Sequence, residues 1–87
     1  MNDAYICSPL RTPVGGFGGS LKPMMAHELG AIVVKALLER TEIAPQDVDD
    51  VLFAQCYPSM EAPALGRVVA LDAGLPETAG GLQLDRR

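Results

Sequence analysis

The sequence predicts an α/β protein with the element order β-α-β-α-β, and three observations carry that expectation. Between Ala26 and Glu39 the residues Leu29, Ile32, Val33, Ala36 and Leu37 repeat at the i, i+3, i+4, i+7, i+8 spacing of one helix face. Val51-Leu52-Phe53-Ala54 is an unbroken apolar run, the pattern of a parallel strand covered on both faces. The stretch from Pro63 to Ala73 is punctuated as a second helix, with Gly74 as its left-handed stop and Pro76 barring continuation.

The first expected strand is Ala4-Tyr5-Ile6-Cys7, closed by Ser8-Pro9, because the residue before proline is pushed toward extended geometry. An irregular loop follows, in which Gly15, Gly16, Gly18 and Gly19 permit close turning and Phe17 is expected to anchor the loop in the core. In the first helix Val34 and Leu38 widen the apolar face, while Glu28, Lys35 and Glu39 leave a polar side. Ala44-Pro45-Gln46-Asp47 suits a single short turn, with proline and an acid where a helix start accepts them. Asp50 to Gln55 forms the second expected strand. Gly66 inside the second helix costs about 1 kcal/mol relative to alanine, which points to a close backbone approach by a neighbouring element. Gly81-Leu82-Gln83-Leu84-Asp85 alternates apolar and polar residues and is expected to form a third strand with one buried face.

Two right-handed crossovers moving in one direction would place both helices on the same side of the sheet. The other side would then be bare, although the consecutive apolar residues of the strands ask for cover on both faces. Each large side chain left exposed would forfeit about 1.5 to 3 kcal/mol. These residues are therefore expected to belong to a larger α/β fold.

Among the 87 residues, 48% are hydrophobic and 21% charged, ordinary globular usage that excludes a disordered chain. The formal net charge of -4, with Glu42, Asp47, Asp49 and Asp50 on a solvated face, speaks against nucleic-acid binding. The apolar run at Ala4 to Cys7 is too short for a signal-peptide core or a membrane span, which suggests a cytoplasmic protein with no membrane partner. Cys7 and Cys56 are widely separated, fit a reducing compartment, and are expected to be small buried hydrophobes.

The residues read alone give no catalytic constellation. Gly15-Gly16-Phe17-Gly18-Gly19-Ser20 lacks the Lys-Ser/Thr of a P-loop and does not complete Gly-x-Gly-x-x-Gly. His27, the single histidine, has no second ligand or thiol beside it in sequence and is expected on the surface at a helix start. Met24, Met25 and Met60 read as gap-filling apolar residues, and Arg86-Arg87 as a pair that local acids could meet.

Taken in order, Arg11-Thr12-Pro13, Gly16-Phe17-Gly18-Gly19-Ser20-Leu21, Glu28-Leu29-Gly30, Ala73-Gly74-Leu75-Pro76 and Leu82-Gln83-Leu84-Asp85-Arg86-Arg87 resemble the N-terminal region of the thiolase family. The resemblance covers essentially the whole chain. It implies that residues 1–87 are the N-terminal part of the thiolase N-terminal domain, incomplete as given, within a five-layer α-β-α-β-α fold of two similar halves. It also implies acyl transfer between acyl-CoA thioesters through an acyl-cysteine, either joining two acetyl-CoA molecules into acetoacetyl-CoA and CoA or running thiolysis of 3-ketoacyl-CoA.

In that family a Cys-Gly/Ala-Ser-Gly stretch follows the segment that ends here at Arg87, so the nucleophilic cysteine is expected immediately after Arg87. The resemblance assigns no catalytic, CoA-contacting or metal-binding residue within the chain and implies no cofactor beyond coenzyme A thioesters as substrates. Acyl-CoA and CoA are the implied small-molecule partners, in a homodimer or homotetramer whose third strand, Gly81 to Asp85, pairs across a two-fold axis. A different reading stays open: a non-catalytic interaction module, or a structural subunit of a split enzyme.

Overall fold

The computed structural model describes residues 3–86, in the order α1 (Ala26–Thr41), a 3-10 turn (Pro45–Asp47), β1 (Asp50–Gln55), α2 (Leu65–Asp72) and β2 (Gly80–Asp85). Helix α1 begins at the expected residue and runs two residues beyond the expected end, because no breaker intervenes before Glu42 takes the left-handed conformation at φ 58°. The Thr41 Oγ1 hydroxyl donates to the Leu37 carbonyl at 2.7 Å in that last turn. Helix α2 stops where its punctuation demands: Gly74 has φ +85°, and the Leu75 N–H closes back on the Ala70 carbonyl at 3.0 Å.

Strands β1 and β2 form a parallel pair in which Val51 lies opposite Gly81 and Gln55 opposite Asp85. The alternation of side chains then separates two faces. On one face Val51 and Phe53 meet α2, and with Leu65, Val69, Ala70, Leu75, Ala62 and Ala79 they form the core. Helix α1 packs against α2 on this same side, and Val34, Leu38 and Phe53 close around the cluster. On α1 the buried residues are Gly30 and Ala31, and Val34 and Leu38 of the expected face pack on the core; Leu29, Val33, Ala36 and Leu37 are partly buried, while Ile32 is left 49% exposed, so the face is rotated toward Gly30. Gly30 explains the rotation: a Cβ there would lie 2.7 Å from Val69 Cγ2 and 3.3 Å from the Phe53 ring, so this edge of α1 can approach closest.

Leu52, Ala54, Leu82 and Leu84 occupy the other face, and no element covers them among the described residues. Leu52 is 60% exposed, Leu82 46% and Leu84 52%. The expected one-sided arrangement of helices is thus present, with the bare apolar face it entails.

Several expectations are corrected. Ala4–Cys7 is not a strand, so the order is α-β-α-β rather than β-α-β-α-β within the described residues. A strand is held by a ladder to a neighbour, and this segment has none; Tyr5 and Ile6 stand in solvent, and the chain turns away at Ser8 with φ 54°. Cys7 and Cys56 are exposed rather than buried. Phe17, expected as an anchor, projects fully outward from a glycine loop that closes on itself through the Gly19 N–H to the Gly16 carbonyl. Met25 and Met60 are likewise exposed and fill no gap.

Candidate functional site

The C-terminal edge of a parallel sheet is where α/β proteins place their chemistry, because the following helix turns its positive N-terminal end toward the same edge. Here that edge carries Gln55 on β1, Gln83 and Asp85 on β2, and the first turn of α2. Close packing brings the parts together. A Cβ on Gly66 of α2 would lie 2.4 Å from the Leu82 carbonyl oxygen and 2.6 Å from that of Val51, and one on Gly81 would lie 2.3 Å from Arg67 Cα. Two glycines facing each other let the helix backbone rest directly on the strands, the close approach that Gly66 signalled in the sequence.

Around this contact α2 and β2 are fastened by side chains from both elements. The Arg67 guanidinium donates to the Ala79 carbonyl and fixes the entry to β2. At the exit, Gln83 Oε1 accepts the Leu65 N–H at 3.1 Å, in the role of the helix cap that Ala64 cannot supply. The other half of the same amide, Gln83 Nε2, donates to Asp85 Oδ1 at 3.0 Å. The ladder continues past the strand, where the Arg86 N–H donates to the Gln55 carbonyl at 3.0 Å. Gln55 Oε1 is buried without a hydrogen-bond partner at the same edge.

The alternation of β2 predicts one buried face, which its apolar residues Leu82 and Leu84 would ordinarily fill. The structure turns Gln83 and Asp85 toward the helices instead, since the Gly66–Gly81 contact selects that face for α2. Sequence reasoning passed over Gln83 and Arg67 for that reason; the one signal available was the pair of glycines.

His27 sits in the first turn of α1, and its Nδ1 lies 2.7 Å from Asp72 Oδ2 in the last turn of α2. It is a half-buried fastening between helices at the opposite edge from Gln83. No group of three or more metal-ligating side chains occurs among the described residues, and no helix among them is long and apolar enough to cross a membrane. The position expected for a nucleophilic cysteine, directly after Arg87, lies outside the described residues, as does Arg87.

The sequence profile of the family described as Thiolase, N-terminal domain, matches residues 4–87. The chain is 40% identical over 86 residues to an acetyl-CoA acetyltransferase of Cupriavidus necator, covering 99% of this chain and 22% of that protein. It is 43% identical over 74 residues to a cytosolic acetyl-CoA acetyltransferase of Gibberella zeae, covering 85% of this chain and 19% of that one. An acetyl-CoA acetyltransferase of Schizosaccharomyces pombe is 42% identical over 76 residues, 87% of this chain and 19% of the relative. The chain therefore spans about a fifth of the length of these relatives. With an α/β unit matched by that profile from residue 4 to residue 87, the chain belongs to the thiolase family.

Proposed function

We infer that the whole protein transfers acyl groups between coenzyme A thioesters through a covalent acyl-cysteine, and that residues 1–87 are scaffold for that site. The observation that carries this reading is the family match from residue 4 to residue 87, which includes the strand expected to lead to the nucleophile. In the proposed reaction a cysteine following Arg87 attacks the thioester carbonyl as its thiolate, CoA leaves as a thiol, and the acyl group remains on sulfur. A second acyl-CoA, deprotonated at its α-carbon, then takes the acyl group and forms a 3-ketoacyl-CoA. Thiolysis is the same sequence in reverse.

The bare face made by Leu52, Ala54, Leu82 and Leu84 supports a further layer against this sheet, as in a five-layer α-β-α-β-α fold. The exposed edge of β2 suits pairing with a second copy across a two-fold axis in a homodimer or homotetramer. Cytosolic residence is supported by the Gibberella zeae relative.

The test is to incubate the complete protein with acetyl-CoA and follow CoA release together with intact mass. An acetyl adduct mapping by peptide mass spectrometry to a cysteine beyond Arg87, and discharged by a second acetyl-CoA, is the expected result. No adduct and no acetoacetyl-CoA would overturn the reading, and an adduct on Cys7 or Cys56 would overturn the scaffold role.

A further inference from the structure

We propose that Gln83 is a positioning residue for the acyl-transfer site, acting through Asp85 as a two-ended relay between the N-terminus of α2 and the end of β2. The proposal rests on the reading of the protein as a cysteine-dependent acyltransferase and names the device that aims its nucleophile-bearing segment. One end of the Gln83 amide accepts the Leu65 N–H at 3.1 Å, and the other donates to Asp85 Oδ1 at 3.0 Å. An amide is the side chain suited to this task, because it must accept from a helix donor and donate to a carboxylate at once. Ala64 offers no side-chain cap, so the orientation of the first turn of α2 depends on β2. Conversely, the Asp85 carboxylate is held by a residue that is itself locked to the helix. Both lie on the strand face turned to α2, and the next residue, Arg86, is still tied to Gln55 through the backbone at 3.0 Å. The direction in which the chain leaves β2 is thereby referred to α2 rather than set by a free strand end.

The relay separates from simple capping by a polarity exchange in the complete protein. Gln83→Glu keeps an acceptor for the Leu65 N–H, one that the helix N-terminus favours, but replaces the donor to Asp85 with a second carboxylate. Adding Asp85→Asn restores the bond with donor and acceptor interchanged. Positioning errors of this kind cost up to on the order of a hundredfold in rate. The expected result is acylation by acetyl-CoA slowed about tenfold or more in Gln83→Glu, with KM changed less than about twofold and the thermal midpoint retained, and most of the rate recovered in the double variant.

A folded Gln83→Glu variant that acylates at the wild-type rate, or a double variant that stays as slow as the single one, would overturn the relay while leaving the acyltransferase intact. If Gln83→Glu unfolds, Gln83→Met, which caps nothing and adds no charge, provides the second measurement: unimpaired acylation there also overturns the relay. Wild-type protein that forms no acyl adduct removes the acyltransferase reading and the relay with it.

Discussion

At the scale of single residues, the two glycines between α2 and β2 set how closely the helix rests on the strands. Gly66→Ala would put a methyl 2.4 and 2.6 Å from two carbonyl oxygens that are themselves fixed in the strands, so neither can yield without parting the sheet. Overpacking of this kind costs about 1 to 3 kcal/mol, and the roughly 1 kcal/mol that alanine gains in helix propensity only partly offsets it. We expect Gly66→Ala to lose about 1 to 2 kcal/mol net in urea unfolding, and Gly30→Ala, which meets side chains rather than backbone, to lose less. Equal losses would show that the α1 contact is as unyielding as the α2 one. Gly66 was legible because a glycine inside a helix asks for an explanation. Gln83 was not, since alternation in a strand says that two faces differ and does not say which one a helix will choose.

At the scale of elements, what could be read from the sequence was what depends on local chemistry. Helix α1, the proline-led turn, strand β1 and the end of α2 all follow from periodicity and caps within their own residues. Ala4–Cys7 failed because apolar residues fit a strand but a strand also needs an edge to join, and that information lies elsewhere in the fold. The fastening of α1 to α2 by His27 and Asp72 was equally hidden, being a contact between residues 45 positions apart. It adds little to stability. The Asp72 carboxylate in the last turn of α2 opposes that helix's dipole, and the pair is partly exposed, with Asp72 at 41%. Asp72→Asn is expected to change unfolding free energy by less than about 1 kcal/mol, with the difference disappearing in high salt. A loss of several kcal/mol would mean that the pair is shielded from water in the assembled protein.

At the scale of the whole molecule, the 87 residues expose more surface than a compact chain of their mass. Their accessible area is 6656 Å² for 9.2 kDa, against about 4,900 Å² expected for a folded monomer of that size. Part of the excess comes from the N-terminal segment, where Tyr5, Ile6, Val14 and Phe17 are solvated, and part from the leucines of the bare sheet face. The consequence is testable by giving that face a charge. Leu52 and Leu82 lie opposite each other in the register, so Leu52→Lys with Leu82→Lys plants two ammonium groups side by side on it. In the isolated 87-residue segment the side chains are already half in water, and the substitutions should reduce concentration-dependent association in sedimentation while costing little stability. In the complete protein, a layer packed on this face would have to bury both charges, which costs several kcal/mol and should abolish soluble expression or cooperative unfolding. If the complete protein accepts both lysines with an unchanged unfolding midpoint, this face is open to solvent there too, and the layered arrangement loses the observation that supports it.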